Sequence, residues 1–247
     1  MPSLAKHYTV IAPDMRGLGD SSIPSDGDYS MKTVSDDIYE LVQSLGLGQI
    51  YLAGQDMGGP VAVDYAGAHP RSVRALVFID SGVPGFGLEK AMDPSSGGSW
   101  HFGFFAAPLF PEMLTRGREK EFLTAFAYRG KYVYKKESFT AADINVYTTH
   151  YTKKGGMVAG FGYYRAMAED AKYNHDLFGH TKLALPVLAV GGDHGLGGFG
   201  AKNLDTFATN VTGLIIPDCG HFVNEEQPEA LSKAMLKFFA SDPISVH

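Results

Sequence analysis

An acid in a Gly-rich turn and a histidine late in the chain are the residues best able to do chemistry together. Gly54-Gln55-Asp56-Met57-Gly58-Gly59 follows the apolar run Ile50-Tyr51-Leu52-Ala53 and precedes a segment with helical spacing. A sharp strand-to-helix turn of this kind holds its middle residue at the sheet's carboxyl edge, and small neighbours let the crowded backbone pass. Here that residue is Asp56, whose carboxylate can attack an electrophilic carbon. A Gly-rich turn with an acid can also merely cap a helix; the strand before it and the helix after it favour a nucleophile. The resulting ester needs a base to activate water. Pro217-Asp218-Cys219-Gly220-His221-Phe222 supplies His221 after the last apolar run, with Glu225, Glu226 and Pro228 behind it. Two acids compete to orient that histidine: Asp80, directly after the run 75–79, and Asp193, after the run 186–190.

The elements around these residues are legible as apolar runs and their punctuation. The runs 8–12, 50–53, 75–79 and 186–190 are aliphatic or β-branched throughout instead of alternating, which predicts strands buried on both faces of a parallel sheet. A fifth strand is expected at 213–216. Helical periodicity appears at 34–45, through Val34, Ile38, Leu41, Val42 and Leu45, at 60–68, and at 228–239, where Ala230, Leu231, Ala234, Met235 and Phe238 share a face. Strands alternating with helices predict an α/β sheet. Residues 84–183 interrupt the alternation and carry aromatics, Gly and Pro without a buried strand, so they are expected to form an inserted helical cap on a core of 1–83 and 184–247. Taken alone, the aromatic run around Trp100, His101, Phe102, Phe104 and Phe105 reads as the packing core of that insert.

Composition narrows the ligand. The 247 residues are 45% hydrophobic and 19% charged, enough for a sizeable soluble core. A net charge of −6 gives no basic footprint for nucleic acid or an anionic membrane, so a small molecule is the expected partner. The single cysteine, Cys219, excludes an internal disulfide framework and suits a reducing compartment, which favours the cytoplasm. No run is long enough for a membrane-spanning helix, and no signal peptide opens the sequence.

From its start to about Phe239 the chain resembles the epoxide hydrolase and haloalkane dehalogenase branch of the α/β-hydrolases. Nucleophile, acid and histidine come in that fold's order. The stretch Ala12-Pro13-Asp14-Met15-Arg16-Gly17-Leu18-Gly19-Asp20-Ser21 resembles the loop after the family's fourth strand, a tight turn near the active site. Ser99-Trp100-His101-Phe102-Gly103-Phe104-Phe105 and Gly162-Tyr163-Tyr164-Arg165 resemble the cap of bacterial epoxide hydrolases in which a His and a Tyr replace two tyrosines. The resemblance implies that His101 and Tyr164 point toward Asp56 and donate to the epoxide oxygen, with Tyr163 as the alternative. It also implies that Asp56 forms an alkyl ester with the substrate, that His221 activates water to cleave it, and that the Met57 N–H stabilises the intermediate. Epoxide and water suffice for this reaction; it takes no cofactor and no metal.

For the orienting acid, Asp80 matches the place used in dehalogenases and the His/Tyr-capped hydrolases. Asp193 lies where many other epoxide hydrolases keep theirs, but Gly191-Gly192-Asp193-His194-Gly195 puts the acid too early for their Gly-x-x-Asp, so Asp80 is preferred. Met57 stands where dehalogenases of this branch carry Trp or Arg, which disfavours the alternative of a haloalkane or haloacid dehalogenase. The family's first strands and its His-Gly-x-Pro loop have no counterpart here, which predicts an N-terminally truncated fold. Either the chain is a fragment, the favoured reading, in which case a leader could be missing too, or its fourth and fifth strands pair directly. An interrupted sheet predicts self-association into a homo-oligomer. A catalytically impaired binding module is the reading from a different class.

Overall fold

The computed structural model describes residues 1–93, 95 and 97–241. A four-stranded parallel sheet runs in the order β1 (Ile50–Gln55), β2 (Val73–Ile79), β3 (Val187–Gly192), β4 (Val211–Ile216). α1 (Met31–Ser44) precedes β1, and α2 (Gly58–Ala68) crosses from β1 to β2. Between β2 and β3 the chain is helical, with α3 (Leu88–Met92), α4 (His101–Ala106), α5 (Phe110–Thr115), α6 (Glu119–Leu123), α7 (Ala141–Thr152) and the long α8 (Gly156–Phe178). α9 (Phe199–Leu204) joins β3 to β4, and α10 (Val223–Glu226) and α11 (Pro228–Ala240) close the fold. Among the described residues no helix is long and apolar enough to cross a membrane.

The middle strands are apolar for the reason their composition predicts: β3 is buried throughout and β2 almost so, each covered on both faces. Val63, Leu76, Phe78 and Phe207 pack on one side, and Val77, Val190, Val223 and Met235 on the other. Each such side chain withdrawn from water stabilises the fold by roughly 1.5–3 kcal/mol. The outer strands depart from the expected two-sided burial. β1 and β4 are edges and are partly exposed along most of their length.

The expected first strand, 8–12, is not a strand. Tyr8 donates to the Leu4 carbonyl in a turn and packs its ring on Tyr51 and Phe239, while Ile11 is 46% exposed. Direct pairing of this segment with β1 does not occur, for β1 has its ladder with β2 alone among the described residues. An apolar run without a ladder partner cannot satisfy its backbone groups as a strand. Two smaller corrections have local causes. Leu45 lies past the end of α1 and is half exposed, and Ala230 faces water while Phe239 joins Leu231 and Met235 in the core.

Candidate active site

The turn between β1 and α2 is tight and strained. Asp56 has φ 49°, left-handed for a residue with a Cβ, a conformation that persists only where the surroundings enforce it. Its N–H donates to the Ile79 carbonyl at 3.3 Å, and its own carbonyl accepts from Gly59 N at 2.9 Å and Ser81 Oγ at 2.6 Å. Glycine is required at 54, since a Cβ there would lie 2.0 Å from the Gly58 carbonyl oxygen. The side chain of Asp56 thus stands at the N-terminus of α2, where orphan N–H groups favour an anion. Met57 N–H donates to its Oδ1 at 2.6 Å.

His221 meets the other oxygen. Its Nε2 lies 2.6 Å from Asp56 Oδ2 and its Nδ1 lies 2.7 Å from Asp80 Oδ2. The loop carrying it is fixed from several directions. His221 N–H donates to the Tyr132 carbonyl at 2.8 Å, and Gln55 Nε2 donates to the His221 carbonyl at 2.8 Å. Asp80, buried and also left-handed at φ 42°, accepts from the N–H groups of Gly192 and Leu196 with its second oxygen, both at 3.0 Å. Burial works against a charged imidazole, but hydrogen bonds to Asp56 and Asp80 outweigh it and push His221 up to about 10. Burial likewise raises Asp56, and the bond and charge of His221 outweigh it and hold the carboxylate below its ordinary value.

Asp193 occupies a different place. Its oxygens accept from Asp218 N–H at 3.1 Å and Cys219 N–H at 3.0 Å, and it makes no bond to His221. It shapes the loop two residues upstream of the histidine. The sequence order that made Asp193 a rival therefore reflects proximity of loops at the sheet edge, not contact with the imidazole.

The facing wall comes from the helices between β2 and β3. His101, the first residue of α4, and Tyr164, on α8, line one cavity with Asp56, Asp80 and His221; its volume is about 330 Å³. Phe102, Phe126, Met167, Leu196 and Phe199 make the remaining lining mostly apolar. Burial pushes His101 down to about 4, so its imidazole is neutral near pH 7. Burial, with the nearby Asp56 charge, holds the Tyr164 phenol protonated well above its ordinary value. Tyr163 is not there: its hydroxyl donates to the Arg16 carbonyl at 2.9 Å and its ring packs on Tyr29. The loop 12–21 reaches the site through Met15 and Leu18, packed in one cluster with Met57 and Tyr164, and Gly17 is left-handed at φ 75° where a Cβ would strike Ala159. A wider cleft of about 550 Å³ beside Arg16 and Asp37 holds no nucleophile paired with a base.

In the sequence, Glu226 is noted behind His221 but given no role, and Tyr132 is passed over. Glu226, almost fully buried, accepts from the N–H groups of Tyr134, Lys135 and Gly220 at 2.8 to 3.0 Å, pinning the histidine loop to segment 132–135. Its only signal was an acid five residues after His221. Tyr132 Oη lies 2.9 Å from His101 Nδ1, and nothing in its sequence neighbourhood marks it. Among the described residues no group of three or more His, Cys, Asp and Glu could hold a metal ion.

Comparison with known proteins follows the same lines. The family model described as alpha/beta hydrolase fold matches residues 1–228. A soluble epoxide hydrolase of Corynebacterium sp. (strain C12) is 35% identical over 97% of this chain and 84% of its own length. The solved structure of the epoxide hydrolase CorEH without ligand superposes with a TM-score of 0.88 at 35% identity, over 97% of this chain and 84% of that one. Wild-type Cfl2 from Burkholderia cenocepacia gives the same TM-score and identity over 97% of this chain and 81% of that one. The chain therefore belongs to the alpha/beta hydrolase fold family of enzymes, with epoxide hydrolases among its relatives.

Proposed function

We propose that this enzyme opens an epoxide to a vicinal diol through an ester on Asp56, with the helices of 84–183 acting as the cap that closes over the substrate. The observation that carries this reading is one cavity with two chemically opposed walls. A carboxylate held ionised by His221 stands on one side, and a neutral imidazole and a protonated phenol on the other. The apolar lining suits the hydrocarbon body of an epoxide, and donors on the far wall suit its oxygen.

In the first step Asp56 attacks a ring carbon, the C–O bond breaks, and the ring oxygen takes a proton from Tyr164 while His101 donates a hydrogen bond to it. Esterification removes the charge of Asp56, one of the two carboxylates that raise His221. The imidazolium then gives up its proton, restoring the phenol through solvent, and the neutral ring becomes a base. His221, oriented by Asp80, takes a proton from water as the oxygen attacks the ester carbonyl. Charge builds on the oxygen already bonded by Met57 N–H, the one backbone N–H on that carboxylate among the described residues. On collapse the ester C–O bond breaks and the leaving alkoxide takes the proton of the new carboxylic acid, so the diol leaves with the Asp56 carboxylate and the His221 imidazolium restored. Dehalogenation would use the same ester, but Met57 offers no side-chain donor to a halide.

A single turnover in heavy-oxygen water tests the ester. Attack at the carbonyl leaves the label on Asp56 and the first diol unlabelled, as read by peptide and product mass. Label in the diol alone would mean that water attacks the ring directly.

A further inference from the structure

The reaction above requires His101 to donate from a neutral ring, so the nitrogen that carries its proton matters. We propose that Tyr132 is a positioning residue that fixes His101 as the Nε2–H tautomer, turning its one N–H toward the cavity, and that its carbonyl ties this donor to the base loop. The inference rests on the reading of the site given under Proposed function. Tyr132 Oη lies 2.9 Å from His101 Nδ1 and 3.3 Å from Ser99 Oγ. A short chain of this kind can run in either direction, and the chemistry of its members selects one. A phenol is a stronger donor than an alcohol, and an imidazole nitrogen is a stronger acceptor than a hydroxyl oxygen. The best donor therefore meets the best acceptor when Tyr132 O–H donates to Nδ1 and Ser99 donates to Tyr132. The shorter of the two bonds is the one to the histidine, 2.9 Å against 3.3 Å.

The proton of His101 then belongs on Nε2, which has no protein partner among the described residues. The ring is buried, which keeps it neutral, and it lines the same cavity as Asp56, so the free N–H has only the cavity to serve. The Tyr132 main chain faces the other way in function: its carbonyl accepts from His221 N–H at 2.8 Å. One residue thus touches the donor with its side chain and the base with its backbone. Its ring, between Phe126 and His221, leaves a phenylalanine room to sit without rearrangement.

Tyr132→Phe deletes the hydroxyl and keeps the carbonyl bond. With nitrogen-labelled histidine, the ring resonances of His101, assigned by their loss in His101→Gln, should show a bare Nδ1 and a protonated Nε2 in the wild type. In Tyr132→Phe the Nδ1–H form should appear, and the rate of ester formation should fall by about tenfold with KM within about twofold, a part of what a positioned acid contributes. A wild-type ring protonated at Nδ1, an unchanged tautomer in Tyr132→Phe, or a change in KM alone would overturn the proposal. If the tautomer shifts as stated while the wild type turns over no epoxide, the tautomer assignment stands and the epoxide reading falls.

Discussion

Helix α2 is flanked by two sets of aspartates in opposite electrostatic states. At its N-terminus Asp56 and Asp80 share one imidazole, and Asp80 is buried with donors on both oxygens. Within the helix, Asp64 is fully buried with no partner on either oxygen and feels the charge of Asp170 on α8, which has one oxygen bonded to Met31 N–H and one unpartnered. Burial drives Asp64 well above its ordinary value and Asp170 up to about 7, so Asp64 holds its proton at neutral pH and Asp170 does so on the acid side of about 7. Burial alone, then, does not decide whether a carboxylate is a nucleophile's partner or an inert acid. The donors do, because a paired charge in low dielectric is tolerated and an unpaired one is neutralised.

The largest test of this contrast removes charge from the paired set. Asp80→Asn should slow ester hydrolysis by about 10⁴-fold, the scale found when an orienting carboxylate becomes an amide. The ester should accumulate on Asp56 and be visible by intact mass. Asp193→Asn, whose oxygens bond backbone N–H groups of the loop and face His194 but not His221, should cost about tenfold or less, since it misplaces a loop without changing the partner of the His221 imidazole. Equal losses would show that the His221 loop, and not the charge beneath it, is what matters.

Much of this arrangement was readable before any coordinate. Asp56 and His221 sit on turns whose local sequence is demanding, so Gly54, Gly58 and Gly59 announce the elbow, and two-sided burial makes β2 and β3 continuous apolar runs. Asp80 is preferred over Asp193 because Asp193 comes too early for the family's Gly-x-x-Asp, and it is Asp80 whose carboxylate lies against His221 while Asp193 bonds the backbone of its loop. What the sequence withheld is long-range. Glu226 and Tyr132 act through loops brought together by the fold, and their types carry no periodic or spacing signal. The segment 8–12 misled because its composition is that of a strand, and strand formation depends on a neighbour that composition does not report. Tyr163 and Tyr164 are adjacent on α8, and only the packing of Tyr29 and Arg16 on one face decides which reaches the cavity.

A smaller effect separates the two sets by pH. His221 is held up to about 10 in the fold against 6.5 unfolded, so its contribution is complete below about 6.5 and is lost as pH rises toward 10. Asp170 keeps a proton up to about 7 that the unfolded chain releases near 3.8, so its contribution is lost between those values. Asp56 has the reverse sign, and its contribution is lost on acidification below 3.8. Urea midpoints measured from pH 4 to 10 should therefore fall in a lower stage up to about 7, to which Asp64 also contributes, and an upper stage toward 10. His221→Gln should flatten the upper stage and Asp170→Asn the lower; flattening of both by either variant would mean that the sets are coupled through α2.

The smallest expected effect has the opposite sign and follows from the missing donors. Asp64→Asn removes no hydrogen bond from the carboxyl oxygens, since none is made, and it removes a proton that the fold must bind. Below about pH 3.8 both the fold and the unfolded chain hold the proton of the acid, and the amide should differ little from it. As pH rises, the unfolded chain ionises Asp64 freely while the fold cannot, and stability drains from the wild type but not from the variant. By pH 8 to 9 Asp64→Asn should be the more stable protein by about 1–3 kcal/mol, the scale for one unsatisfied buried polar group. For a chain of this size that raises Tm by about 2–4 °C per kcal/mol. Thermal scans of both proteins across that range would measure the gap. Destabilisation that is constant with pH would show that a donor reaches Asp64 in solution. The two sets of aspartates would then differ in degree and not in kind.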